Sequence, residues 1–492
     1  MDIAYQSMLM PLILSAAILI IMMQIAFWRH ATTSWILSCA SLVAAMLSMA
    51  PVAETLPLQV TPLLLADQFS LFFSMLILFA TLVTALLAKD YLQHRSGENE
   101  EFYLLLLLSA LGAIILVSST HLASFLLGME LLGVALYALI AYPERGHLPL
   151  EAATKYLILS GAASAILLFG FALIYAALGS LSFAEIGTRL AQVTEADKQV
   201  LVMVGSVMVI AGIGFKLSLV PFHMWTPDVY QGAPSPVTGY LATVSKGAIF
   251  AALMRLYVDA RLYEHNALLL GLSLLAIASM LIGNFLALKQ ENVKRLLAYS
   301  SIAHIGYLLI ALIVFGALQQ PDLAIEAASF YLTAYVVTSL AAFALLSILS
   351  SQANLEVDDL QSMSGLFWRQ PVLALLLTIA MLSLAGIPLT VGFIGKFYLF
   401  TVGIKGALWV LLAALVVGSG ISIYYYLRVV FMMTTKATAD AGEHGSGESG
   451  NDFPVVHYSL VAKSMVWLLI LMILYLGVLP ESFMGYLRGI SL

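Results

Sequence analysis

The feature that most constrains this chain is how its charges are spaced: long apolar stretches carry none, and most charged residues gather in the short segments between them. Apolar runs of about 18 residues or more without charge mark membrane-spanning helices, and most of this chain consists of them. Of its 492 residues, 62% are apolar or aromatic and 10% are charged, against about 45–50% and 25% in soluble domains. A soluble fold is excluded. The net charge of −6 offers no clustered basic face for phosphate, so the expected partner is a lipid bilayer and not nucleic acid. Cys39 is the only cysteine, which rules out paired-cysteine zinc sites, disulfide frameworks and four-thiolate iron–sulfur clusters in this chain. No cofactor or metal site is expected within it.

Charge-poor stretches separated by Pro, Gly or charge predict an all-α polytopic membrane protein, a single membrane domain over 1–492 with fourteen spans. These fall at 8–28, 33–51, 68–88, 102–120, 121–142, 152–178, 200–231, 236–258, 267–288, 295–316, 324–350, 371–403, 407–433 and 459–479. The stretch from Met8 to Phe27 is too long for a signal-peptide core and reads as the first span. Loops after odd-numbered spans hold ten Lys and Arg residues, and even-numbered loops with both termini hold five. Cytoplasmic loops retain positive charge, so both termini are expected outside, which in a bacterium is the periplasmic side of the inner membrane. The Gly- and Ser-rich stretch 434–457 has too little apolar area to fold and reads as a flexible loop.

Two spans are too long for one straight helix. Val200 to Gln231 and Pro371 to Gly403 contain 32 and 33 residues, about 50 Å each at 1.5 Å per residue, against a hydrocarbon core of about 30 Å. Each carries a proline, Pro221 and Pro388, that removes a backbone donor and crowds the preceding turn. Such freed backbone is tolerated in a membrane only where it faces protein or a watery cavity. The two prolines are 167 residues apart, and Glu151–Leu157 resembles Glu326–Leu332 at an offset of 175. An odd number of spans between copies predicts an inverted repeat, with one half over 102–258 and the other over 267–433.

The informative residues are charges inside spans, because a charge at bilayer centre costs about 2.5–3.5 kcal/mol even on a lenient scale. Glu130, Lys216, Lys246 and Lys396 lie mid-span, and Lys155 lies nearer a helix end. Any one alone could be an ordinary ion pair or a lysine reaching for the interface. Together they cannot all be structural pairs, since one glutamate cannot neutralise three lysines. At least some lysines must be neutral part of the time, which is the property of a proton relay. His223, His304 and Tyr299 could extend it, although an intramembrane histidine or tyrosine is as often a helix–helix hydrogen-bond partner. Gly395-Lys396 is not the end of a phosphate loop, because Thr390 and Phe397 occupy positions that require glycine and a hydroxyl residue.

The run Gly214 to Pro234, the motif Asn292 to Ile302 and the segment Leu384 to Pro388 together resemble the antiporter-like subunits of respiratory complex I, over essentially the whole chain. Within that family the pattern is similar to the chain N type. It stops soon after the fourteenth span, without the lateral helix of the chain L type, and has Lys396 where the chain M type would carry glutamate. The resemblance implies a proton-translocating membrane subunit of NADH:quinone oxidoreductase. Glu130 and Lys216 would be its first pair, Lys246 the central relay and Lys396 the gate of the second half-channel, with Lys155, His223, Tyr299 and His304 auxiliary. It also implies that flavin, iron–sulfur clusters and quinone belong to partner subunits, and that the neighbours are chains M, K and J. A subunit of a multisubunit Na⁺/H⁺ antiporter is the alternative, and a passive scaffold subunit is a third reading.

Overall fold

The computed structural model describes residues 3–93, 95, 98–142, 147–318, 321–351, 356–435 and 459–490. Most of the stretch expected to be a flexible loop, 434–457, lies outside the described residues. Among the described residues, thirteen helices are long and apolar enough to cross a bilayer. The remaining predicted span, 371–403, is two 15-residue helices, Pro371–Ala385 and Val391–Lys405. Helix is the only way for these Leu- and Ala-rich runs to satisfy every backbone group within one segment. Among the described residues the sheet content is one hairpin, with Leu58–Thr61 antiparallel to Leu64–Ala66 and Leu58 opposite Ala66.

Three helices form the centre: Ser235–Asp259, Val293–Leu318 and Pro321–Ser351, nearly all of whose described side chains are buried. At the edge, His147–Leu178 turns Leu157, Ile158, Leu168 and Phe169 outward, an apolar surface suited to lipid. Small residues let neighbouring backbones approach. A Cβ on Gly112, in Glu100–Val117, would meet the backbone nitrogen of Leu132 at 2.4 Å, and one on Gly128 would meet that of Leu116 at 2.8 Å.

Both long spans are interrupted, and by the same device. Ala196–Leu217 ends at Ser218 with φ 63°, and Pro371–Ala385 ends at Gly386 with φ 84°. At the first break the N–H groups of Ser218 and Leu219 bond the carbonyls of Phe215 and Gly214. At the second, those of Gly386 and Ile387 bond the carbonyls of Ser383 and Leu382. This left-handed cap closes a helix without a tertiary partner. The chain restarts as Trp225–Gly232 and as Val391–Lys405.

Contacts between loops sort by parity. Segments following odd-numbered spans meet one another, as in Arg95 and Lys294 with Glu356. Segments bordering even-numbered loops and the C-terminus meet at the other face, as in Asp67 with Arg255 and Glu326 with Arg488. Each span therefore crosses the full thickness of the bundle.

Candidate functional site

The intramembrane charges fall into three groups along the bundle. The first joins Leu122–Ala141, His147–Leu178 and Ala196–Leu217. Lys216, in the last turn before the break, is buried and donates to Ser160 Oγ at 2.7 Å, with Glu130 Oε1 at 3.6 Å. Ser160 shares a second hydrogen bond with the Tyr137 hydroxyl at 2.7 Å, and Ser164 donates to Glu130 at 2.5 Å. Glu130 is not enclosed by its own chain, for 32% of its side chain is exposed. Its helix lies at the edge of the bundle, and Leu127, Glu130 and Val134 share the outward face.

Lys246 occupies the centre. The five residues before it, Leu241–Ser245, form a π-helical turn within Ser235–Asp259. Such a bulge re-aims the side chains that follow and is frequent at functional sites. Lys246 is 1% exposed, donates to Ser301 Oγ at 2.6 Å and lies 5.5 Å from the centre of the Tyr230 ring. Tyr156, which packs on Tyr137 and on Trp225, faces Ser245. Hydroxyl groups thus lead from the first lysine toward the second.

The third group surrounds Lys396, on the helix after the second break. Its ammonium donates to the carbonyls of Leu384 and Ala385 at 3.0 and 2.8 Å, two of the acceptors the break leaves without helical partners. The Tyr307 ring lies 5.6 Å away. Between the second and third lysines stands His304. It is buried, its Nδ1 shares a 2.6 Å hydrogen bond with Tyr331, and its Nε2 is 3.5 Å from the Tyr426 hydroxyl, which also bonds Ser300. Ser301, His304 and Tyr307 line one face of Val293–Leu318 at helical spacing, so a single helix carries the groups that touch Lys246 and Lys396.

The other expected residues lie elsewhere. Lys155 is in a partly exposed network at the end of its helix, with Glu151 at 2.7 Å and Asp228 at 2.8 Å, and Asp228 also pairs with Arg295 at 2.7 Å. His223 sits inside the first break with neither ring nitrogen in a hydrogen bond of ordinary geometry, and its ring meets Tyr299 edge-on at 6.5 Å. The serine and tyrosine rungs escaped the sequence reading because hydroxyl residues are common in spans and carry no charge to mark them. Two ionic sites escaped it as well. Arg255, 1% exposed, makes a two-pronged bond to Asp67 at 2.8 Å for each prong. Lys294, counted from sequence as a loop charge, is fully buried against Glu356 at 2.9 Å and the Ala233 carbonyl at 2.8 Å.

The family model for the NADH:quinone oxidoreductase/Mrp antiporter membrane region matches residues 119–422, a stretch that runs from before Glu130 to beyond Lys396. NADH-quinone oxidoreductase subunit N of Methylococcus capsulatus is 49% identical over 97% of this chain and 93% of its own length. The chain belongs to this antiporter-like membrane family. The likeness to the chain N type seen in the sequence is borne out by that identity. Among solved structures, a chain of respiratory complex I from Thermus thermophilus matches with a TM-score of 0.79 at 33% identity, over 97% of this chain and 99% of that one. A chain of the archaeal membrane-bound sulfane sulfur reductase matches with a TM-score of 0.83 at 24% identity, over 99% and 96%. A chain of the Mrp complex from Dietzia sp. matches with a TM-score of 0.83 at 20% identity, over 99% and 97%. The last two share the fold alone. Identity separates the complex I relatives from the antiporter where backbone shape does not.

Proposed function

We propose that this antiporter-like chain carries protons across the membrane, from the cytoplasm to the outside, as a subunit of an NADH:quinone oxidoreductase whose redox groups are held by other subunits. The observation that carries the reading is the state of Lys246 and Lys396. Both are buried, neither has a carboxylate within ion-pair distance among the described residues, and both rest on neutral oxygens and aromatic rings. A permanently charged lysine in that setting is costly, whereas one that takes up and releases a proton uses the site as built.

In this reading Glu130 and Lys216 form the entry pair of the first half, and the shared break motif reflects two inverted halves, 102–258 and 267–433. Moving a carboxylate toward or away from Lys216 changes how firmly that lysine holds its proton, so quinone chemistry in a neighbouring subunit can drive the line electrostatically. The outward face of Glu130, Leu127 and Val134 suits a neighbouring subunit as cover, and chains of the M, K and J types are the proposed neighbours. The excess of Lys and Arg in odd-numbered loops supports periplasmic termini.

The test is Lys246→Ala, Lys246→Arg and Lys396→Ala in native membranes. Arginine keeps the charge but cannot release a proton. All three should lose proton pumping and coupled NADH:quinone turnover at normal assembly. Full pumping by Lys246→Arg or by either alanine variant would overturn the relay. Sodium uptake by everted vesicles without an electron donor would instead favour the Na⁺/H⁺ antiporter.

A further inference from the structure

The three buried lysines are compensated in two different ways. Lys216 has the Glu130 carboxylate at 3.6 Å. Lys246 and Lys396 have no such partner among the described residues, and each lies instead near a tyrosine ring, Tyr230 at 5.5 Å and Tyr307 at 5.6 Å from the ring centre. Cations within about 6 Å of a ring face are attracted by its quadrupole, more so when desolvated. Arg255 over Phe69 and Arg95 over Tyr91 also show this contact. Those arginines have a carboxylate as well, Asp67 and Glu356. At the two lysines the ring stands without one.

Both rings are held in place from their far ends. The Tyr307 hydroxyl accepts from Asn284 Nδ2 at 2.8 Å. Asn284 is fully buried, donates also to the Met280 carbonyl at 2.6 Å, and accepts from the Tyr425 hydroxyl at 2.9 Å. The Tyr230 hydroxyl lies 3.4 Å from Ser301, the acceptor of Lys246. Tyr230 belongs to the half-helix Trp225–Gly232, which is held by Arg295 on Asp228 and Gln231 and, just past its end, by Lys294 on the Ala233 carbonyl.

We propose that Tyr230 and Tyr307 serve as the counter-charge for the protonated forms of Lys246 and Lys396, acting through the ring face and not the hydroxyl, with Asn284 as a positioning residue for Tyr307. The inference deepens the relay reading and rests on it. A carboxylate partner would hold the proton on the lysine through a full charge. A ring face stabilises the ammonium less strongly and does not compete for the proton, so the charge remains transferable. The other groups close to these lysines are Ser301 and His304 on Val293–Leu318, Ser245 on the π-helical turn, and Tyr331, Tyr335 and Tyr426 beyond His304.

Phenylalanine keeps the ring and deletes the hydroxyl, whereas leucine deletes the ring. The intact complex, reconstituted into vesicles, should lose less pumping with Tyr230→Phe than with Tyr230→Leu and keep more of its alkaline limb. Tyr307→Phe also deletes the hydroxyl that Asn284 holds, so it should match Asn284→Leu and fall short of the loss in Tyr307→Leu. Tyr230→Leu and Tyr307→Leu should lose pumping about tenfold at neutral pH, with the alkaline limb of the profile moved to lower pH. Asn284→Leu should shift the profile in the same direction, and Asn284→Gln should restore it in part. Phe variants as impaired as Leu variants would assign the hydroxyl and overturn the proposal, as would Leu variants with an unmoved profile at normal assembly. Lys246→Ala and Lys396→Ala run alongside: if they pump normally, the relay reading itself fails, and if only they are impaired, the ring alone is refuted.

Discussion

Removing the acid of the buried Lys294–Glu356 site should cost far more than removing its base. Lys294 matches its donors to Glu356 Oε2 at 2.9 Å and to the carbonyls of Ala233 and Gln231 at 2.8 and 3.4 Å. Glu356 is richer in partners, because Arg95 at 3.1 Å and the hydroxyls of Tyr91 and Ser235 also bond it. After Lys294→Met the carboxylate keeps Arg95 and both hydroxyls, so the loss is about 1.5–3 kcal/mol, the net worth of hydrogen bonds to a charged group. After Glu356→Gln a fully buried ammonium is left with two carbonyls, and an uncompensated buried charge costs about 3–5 kcal/mol. The double variant removes that stranded charge and should be no less stable than Glu356→Gln alone. Denaturant titration of the solubilised complex, with the retained fraction of this subunit as readout, ranks the three. A Lys294→Met variant as unstable as Glu356→Gln, or a double variant showing the full sum, would refute the reasoning. The same site has a pH signature. Burial pushes the Glu356 carboxyl up, but Lys294, the Ser235 and Tyr91 hydroxyls and Arg95 outweigh it and hold the group below its ordinary value. A carboxyl held low in the fold contributes stability above its unfolded pKa and loses it as pH falls through the folded one. Wild type should therefore weaken on acidification below about pH 4, and Glu356→Gln should weaken less over that window.

Gly386→Ala places a Cβ 2.9 Å from Lys396 Cδ at a residue with φ 84°. The backbone strain is about 1–2 kcal/mol, and displacing the ammonium from its carbonyls should cut coupled turnover roughly tenfold. Gly161→Ala, where a Cβ meets nothing within 4 Å, should leave turnover unchanged in the same vesicle assay. Arg255→Met strands the Asp67 carboxylate and should lower the recovered subunit by a loss of about 3–5 kcal/mol in stability. Arg255→Met with Asp67→Leu should recover much of it, as quantified by immunodetection in native membranes.

The sequence by itself determined the architecture, because hydrocarbon leaves the backbone one economical choice and the apolar runs mark where it is made. Predicted limits of 8–28, 68–88 and 267–288 became Leu9–Phe27, Gln68–Gln93 and Asn266–Ala287. It also exposed both breaks, since Pro221 and Pro388 stand inside spans too long to be straight, and it singled out Glu130, Lys216, Lys246 and Lys396, since charge is conspicuous where there is almost none. Only the tertiary structure decided which charges are compensated and by what. Lys294 read as a loop charge and Lys155 as a charge nearer a helix end, yet the first is fully buried and the second is 41% exposed. Glu130 read only as a mid-span charge, and 32% of its side chain is exposed on the outward face. The π-helical turn before Lys246 and the tyrosine faces beside Lys246 and Lys396 leave no mark along the chain. These outcomes depend on side chains from distant spans meeting in three dimensions, and in a membrane neither hydropathy nor charge spacing records which face of a helix turns toward which neighbour.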